Sequence, residues 1–298
     1  SVIHWRTDFE AIEPILGEKT KAHKHREARL EKWNNIQVQP INFVYGNGEF
    51  QLQNISVNLV HDRKIALVGE SGAGKSTLLH IIRGLISVPD AAIEINDDTI
   101  SPISYLADIS TLIPQEPEIF ENTIRYNVTM GISAGEKEVE SAISAAGFSD
   151  IINRLPQGLD SDVREKGVNL SGGEKQRLAL ARGIFAIQDS SLILLDEPTG
   201  SVDPATEMMI LKTLFERLSG RCVVSVLHRL HLVRLFDYVY VMKQGKIVEE
   251  GTFDNLCNAQ GEFSRLWDKY LAEDNKNAET LYEQHEKHGV GKMHRLTS

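Results

Sequence analysis

The chain is poor in cysteine, has no long apolar run and carries no excess of positive charge, and each shortage removes a class of function. Only two cysteines, Cys222 and Cys257, occur in 298 residues. Neither stands at metal-ligand spacing from other ligand residues, so both read as reduced, buried thiols of a cytosolic compartment. His285, His288 and His294 near the end are too loosely spaced to define a metal site. Lysine and arginine number 32 against 42 acidic residues, a formal net charge of −10. That balance argues against nucleic acid as the main partner. No apolar stretch approaches the roughly 20 residues of a membrane-spanning helix, and no secretory signal opens the sequence. The first residue is Ser1 rather than Met, which suggests a fragment of a longer protein or a cleavage scar. The rest of the composition, 41% hydrophobic and 25% charged, suits one large globular domain or two modest ones.

Against these absences stands one dense motif, Gly69-Glu70-Ser71-Gly72-Ala73-Gly74-Lys75-Ser76-Thr77, which fits the phosphate-binding pattern G-x-x-x-x-G-K-[ST]. Ile65 to Val68 before it form an apolar run suited to a buried strand. Ser76 to Arg83 after it read as a helix with Leu78, Leu79, Ile81 and Ile82 as its apolar residues, ended by Gly84. The residue types follow from the chemistry. Glycines let backbone N–H groups approach phosphate oxygens without a Cβ in the way. The helix start adds unpaired N–H groups and a favourable dipole. Lys75 can neutralise β- and γ-phosphates, and the Ser76 hydroxyl can ligate Mg²⁺. A glycine-rich turn that binds nothing is the alternative, and the flanking strand and helix disfavour it.

The first 35 residues differ from the rest. Trp5, Phe9, Ile12 and Leu16 fall near one helical face, Pro14 is a kink or stop, and Glu18 to Lys32 is strongly charged. This stretch is either a solvated linker helix or an extension from a preceding domain. Short strands are predicted at 36–38, 41–45 and 50–60, with a turn at Gly46-Asn47-Gly48. Tyr45 is an ordinary strand aromatic or a platform for a purine base. Ala92 to Ile95 reads as a further strand, Leu112-Ile113 runs into a loop at Pro114-Gln115-Glu116-Pro117, and 120–190 is mostly helical, with Glu136 to Ala146 clearly amphipathic.

Leu170-Ser171-Gly172-Gly173-Glu174 opens a helix that runs to about Ala186. A capping serine, two glycines and an acid make either a plain capped helix or a second phosphate-accepting N-terminus. Leu192 to Leu195 is a buried-strand run ending in Asp196-Glu197. Two carboxylates there are costly unless paired. Asp196 suits holding Mg²⁺ through water, and Glu197 suits polarising an attacking water. Val223 to Leu227 is a strand ending at His228, which would share a sheet edge with the acidic pair. Strands at Tyr238–Met242 and Ile247–Glu249, a helix near Phe253–Leu271 and a polar tail complete the chain.

Taken in order, residues 36–270 resemble the nucleotide-binding domain of ABC transporters. Gly69 to Thr77 is similar to the family's Walker A loop and Leu192 to Asp196 to its Walker B strand. Glu197 falls on the catalytic glutamate, Gln115 on the Q-loop glutamine, His228 on the switch histidine, Asp203 on the D-loop aspartate and Tyr45 on the adenine-stacking aromatic. Leu170 to Glu174 matches the signature motif, which separates this family from other phosphate-loop ATPases. The resemblance implies an α/β fold: a P-loop NTPase core with a parallel sheet, an N-terminal antiparallel β subdomain and an inserted helical subdomain at about 118–186.

Within the family, Gln115 to Phe120 with Thr123-Ile124 and Asn127 is similar to the exporter branch, as is Leu155-Pro156-Gln157-Gly158 leading to Arg164-Glu165-Lys166-Gly167. Departures are Asp62 in place of a turn glycine, Glu174 in place of glutamine, and the importer-like Pro198-Thr199-Gly200-Ser201-Val202. The resemblance implies ATP on Gly69, Ser71, Gly72, Ala73, Gly74, Lys75, Ser76 and Thr77, and Mg²⁺ on Ser76, Gln115 and Asp196. It further implies that Ser171, Gly172, Gly173, Glu174 and Asp203 reach the ATP of a second subunit, giving an ATP-dependent homodimer. Residues 1–35 would be a linker helix from a preceding transmembrane domain, a polar tail would occupy 271–298, and the whole would work at the cytoplasmic side of a membrane. A soluble ABC-type ATPase of DNA repair or translation, and a nucleotide sensor that does not turn over, are the competing functions.

Overall fold

Lys64–Val68 (β3) is the hub of the computed structural model, and its neighbours explain why it is apolar. The structure describes residues 33–273 except 47, 49, 116, 117, 164–168, 188, 189 and 201. The expected N-terminal helix at Trp5 to Leu16, the charged run to Lys32, the Arg164 to Gly167 segment and the tail from 274 onward lie outside the described residues.

β3 pairs in parallel with Cys222–Val226 (β8) on one side and Tyr238–Lys243 (β9) on the other. Leu192–Asp196 (β7) pairs in parallel with β8, and Ser110–Ile113 (β6) with β7. Lys246–Gly251 (β10) closes the far edge antiparallel to β9. A parallel sheet covered on both faces needs strands that are apolar throughout, and every residue of β7 and β8 is buried. Successive side chains feed opposite cores. Ile65 and Leu67 of β3 join one cluster with Leu78 and Ile82, while Ala66 and Val68 join the other with Leu178 and Leu180.

The first cluster is completed by a second sheet, all antiparallel: Phe50–Val60 (β2), Asn35–Val44 (β1), Ala92–Ile95 (β4) and Thr99–Pro102 (β5), in that order. Its alternating Ile36, Val38, Leu52, Val57 and Leu59 are buried, together with Trp33, whose indole N–H donates to Ser191 Oγ at 2.9 Å. The second cluster is completed by helices. Lys75–Ile82 (α1) and Leu106–Ile109 (α2) come first in the chain and pack in the first cluster. Ile124–Thr129 (α3), Glu136–Ala145 (α4), Ser149–Arg154 (α5), Gly172–Ala186 (α6) and Pro204–Arg217 (α7) supply buried residues to the second. These are the expected parallel α/β core, antiparallel β region and helical insertion.

Two expectations need correction. The strands predicted at 36–38 and 41–45 are one strand, β1, that runs through Pro40. Pro40 has no N–H for the ladder, and the register breaks between Val38 and Ile41 absorb it. The helix predicted over 253–271 is two: Phe253–Asn258 (α8) and 262–273 (α9). Gln260 takes a left-handed φ of 51°, and the Glu249 carboxylate accepts from the backbone N–H groups of Glu262 and Phe263 (2.9 Å for the latter). A carboxylate from β10 thus caps the restarted helix. Asp62 also has a role of its own: at φ 58° it accepts from the Gly220 N–H at 2.7 Å, tying the turn before β3 to the turn before β8.

Candidate functional site

The phosphate loop spans Gly69 to Gly74, between the C-terminal end of β3 and the start of α1. Gly69 packs directly on β9: a Cβ there would collide with the Met242 carbonyl oxygen, and its φ of +145° is one that L residues rarely adopt. Gly74, at φ 99°, is the N-cap of α1 and offers no side-chain cap to the N–H groups of the first turn, a helix start suited to an anion. The Ala73 carbonyl accepts from Gly245 at 3.1 Å, which fixes the loop against the turn between β9 and β10.

Lys75 is 4% exposed, and its ammonium donates to the carbonyls of Gly69 at 2.8 Å and Glu70 at 3.0 Å. Burial pulls its pKa down, and the carboxylates of Glu197 and Asp196 pull it back up. Ser76 Oγ donates to Asp196 Oδ1 at 2.9 Å. Asp196 is itself 3% exposed, and burial raises its pKa against the hydrogen bond from Ser76 and the charges of His80, Lys75 and His228. Glu197 follows at φ 48°, a strained value for a non-glycine residue, with its backbone carbonyl held by Gln176 Nε2 at 2.9 Å. Its Oε1 stands 2.7 Å from His228 Nε2. Burial first and Asp196 second raise the Glu197 pKa, while burial and Lys75 lower that of His228.

Residues 75, 76, 196, 197 and 228, far apart in sequence, therefore converge at one edge of the parallel sheet. The hydroxyl and carboxylate of Ser76 and Asp196 are hard oxygen donors suited to Mg²⁺, an ion that keeps most of its shell as water and phosphate oxygen. Among the described residues there is no group of three or more His, Cys, Asp or Glu placed to hold a metal ion. A buried cation, a helix start without a side-chain cap and a hard-oxygen pair fit a magnesium nucleoside triphosphate.

The remaining predicted residues fall around this edge. Tyr45 follows β1, 39% exposed, with its phenol oxygen 3.4 Å from Thr77 Oγ1 and its ring edge-on to Phe43. An aromatic face thus stands beside the loop. Gln115 is exposed two residues past β6, whose Ile113 pairs with Leu195 next to the acidic pair. Ser171, Gly172 and Gly173 stand apart from this group: among the described residues no hydrogen bond joins them to the phosphate loop. Ser171 caps α6, with Glu174 N donating to its Oγ at 3.4 Å and Glu174 Oε2 accepting from its N–H at 2.8 Å. Glu174 also pairs with Arg154, so the acid in place of glutamine has a local partner. Asp203 is exposed at the N-cap of α7, where it accepts from Thr206 N at 3.0 Å, and its hydrogen bonds with Thr206 lower its pKa.

Gln176 was not among the predicted site residues. Its signal was a polar residue on the same helical face as Ala179 and Leu180, both buried, as Gln176 is too (5% exposed).

A family model described as ABC transporter matches residues 52–200, which include the phosphate loop, Ser171 and Asp196-Glu197. The chain belongs to the ABC transporter family. The chain is 36% identical over 266 residues to ATP-binding cassette sub-family B member 6 of Mesocricetus auratus, covering 87% of this chain and 31% of that protein. It is 35% identical over 234 residues to the glutathione/L-cysteine transport system ATP-binding/permease protein CydD of Bacillus subtilis (strain 168), covering 78% and 40%. A solved structure of a bacterial Atm1-family ABC exporter with ATP bound superposes with a TM-score of 0.72 at 32% identity, covering 80% of this chain and 42% of that one. The chain thus spans about a third of the length of these curated relatives. It is an ABC nucleotide-binding domain of the kind found in exporters, and the ATP-binding role is that of the family.

The buried acid makes this ABC domain pay a stability cost at neutral pH. Asp196 titrates above its ordinary value of 3.8 in the fold. A carboxyl whose pKa is raised by folding favours the folded state fully below the unfolded value, and that contribution is lost as pH rises through the folded value. Asp196→Asn, which keeps the acceptor for Ser76, is therefore expected to melt at a higher temperature than wild type at pH 7 without nucleotide. The difference should shrink as pH falls toward 4. A scan of thermal midpoints over that range checks it, and an Asn variant that melts lower at pH 7 contradicts it.

Proposed function

We propose that this chain binds Mg-ATP and hydrolyses it as the motor domain of an exporter, working in pairs. The observation that carries the reading is the convergence of Lys75, Ser76, Asp196, Glu197 and His228 on one sheet edge, with Ser76 and Asp196 hydrogen-bonded and Glu197 and His228 at 2.7 Å. Lys75 and the loop N–H groups would bind the β- and γ-phosphates, Tyr45 would stack on the adenine, and Ser76, Gln115 and Asp196 would hold the metal. Mg²⁺, when bound, neutralises phosphate charge. Glu197, kept from full ionic solvation by burial, would orient and deprotonate the attacking water, and His228, whose Nε2 meets that carboxylate here, would turn this one N–H donor to the γ-phosphate when ATP binds.

The remaining predicted residues give the reason for pairing. Ser171 and Gly172 are exposed and Gly173 is half-buried at a helix start with no hydrogen bond, among the described residues, to the chain's own phosphate loop, and a helix start of that kind suits a phosphate brought by another molecule. A second copy facing head to tail would supply them, with Asp203, to each ATP, so that nucleotide closes the dimer and hydrolysis opens it. In a full transporter that cycle would drive a membrane domain from the cytoplasmic side. No helix among the described residues is long and apolar enough to cross a membrane. The exporter relatives and the net charge of −10 favour this over a role in DNA repair or translation.

Steady-state phosphate release tests the reading. Release from ATP is expected in Mg²⁺, rising more steeply than linearly with protein concentration, and is expected to stop in chelator. A rate per molecule that does not change with protein concentration, or no release at all, overturns it.

A further inference from the structure

The geometry assigns to Arg229 and Glu207 a positioning role: they fasten the loop that carries Asp203 to the loop that carries His228, so that the two move as one body. Glu207 lies on α7 and is 3% exposed, a depth at which a carboxylate is tolerated only when both oxygens are paired. Thr199 Oγ1 donates to Oε1 at 2.6 Å, and Arg229 Nη1 donates to Oε2 at 2.7 Å. The same guanidinium donates to the Val202 carbonyl at 2.7 Å and the Gly200 carbonyl at 3.2 Å. One planar fork therefore grips three acceptors between residues 200 and 207, a geometry that lysine cannot copy.

Arg229 directly follows His228, and Val202 directly precedes Asp203. Glu197, Gly200, Glu207, His228 and Arg229 border one cavity of about 80 Å³, so the clamp abuts the catalytic edge without belonging to the phosphate loop. Resting on the reading that His228 meets the chain's own ATP and Asp203 a second copy, the clamp makes nucleotide in one site felt at the surface offered to the other. The gripping groups, Thr199, Glu207 and Arg229, are not themselves among the residues assigned to ATP.

Arg229→Lys keeps a positive charge beside Glu207 and loses the fork. In wild type, Mg-ATP is expected to slow hydrogen exchange at the amides of Gly200, Val202 and Asp203. In Arg229→Lys the ATP Kd should stay within about twofold, the slowing should vanish, and kcat should fall about ten- to a hundredfold through misplacement of His228. Thr199→Val, which leaves the ion pair intact, should give a partial loss of both and guards against a variant that fails to fold. A purely structural role would lower the thermal midpoint and leave the slowing and kcat of the folded protein unchanged, which would overturn the proposal. Wild type that neither hydrolyses ATP nor slows would overturn the underlying reading. Wild type that does both, with the lysine variant indistinguishable from it, would overturn the clamp alone.

Discussion

Glu197→Gln is expected to release phosphate from ATP about 10²- to 10⁴-fold more slowly than wild type. The amide has the shape of the carboxylate and can still meet His228 Nε2, which stands 2.7 Å from Oε1. It cannot take a proton from water. Lys75 and the backbone N–H groups are untouched, so ATP should bind as before or better, since one buried negative charge near the phosphates is gone. With Mg-ATP the variant should persist as a dimer, read as a doubling of mass by light scattering, and return to monomer when ATP is removed. A variant that turns over like wild type would remove Glu197 from the chemistry. The pH dependence has a definite sign: burial and Asp196 raise the Glu197 pKa above 4.5, so the wild-type rate should fall on the acid side at a higher pH than an ordinary carboxylate would give.

Lys75→Ala is expected to bind ATP about 10²- to 10⁴-fold more weakly. Charge-assisted hydrogen bonds contribute roughly 1.5–3 kcal/mol each, and Lys75 is positioned to serve two phosphates. Each 1.4 kcal/mol is about tenfold in affinity. The fold should survive, because burial works against the ammonium in the folded state and its removal relieves that penalty. Calorimetric titration with ATP beside a thermal melt separates the two outcomes. Unchanged affinity in a folded variant would contradict the phosphate-loop assignment.

The local motifs were legible in sequence because their chemistry is local. The glycine spacing, the Ser171 cap with Glu174, and the apolar run ending in Asp196 each fold within a few residues of themselves. Contacts made at a distance were not legible. Nothing in Gln176 announces the carbonyl of Glu197, and the Arg229–Glu207 pair joins residues from different elements. The strands predicted at 36–38 and 41–45 are one because the register shift that carries β1 past Pro40 belongs to the pairing with β2. The restart of α9 depended on Glu249, a residue of another element. The expectation of an adenine platform at Tyr45 and of a metal role for Gln115 rests on the family resemblance, and the residues alone favour an ordinary strand aromatic and a loop residue.

The order of strands in the parallel sheet has a kinetic consequence. The hydrogen bond between Ser76 and Asp196 closes a separation of 120 residues, that between Trp33 and Ser191 one of 158, and that between Lys64 and Asp237 one of 173. β6 and β7 are neighbours, yet residues 114–191, with the helices from α3 to α6, must fold between them. Chains dominated by such distant pairings fold slowly, because loop-closure entropy is lost before the contacts form. The phosphate loop can assemble its acidic partners only once the central strands are zipped. Nucleotide then has nothing to grip in the early stages of refolding, and its effect falls on the escape rate from the finished fold. For this domain ATP would act as a lock on a completed structure, with no part as a template for building it.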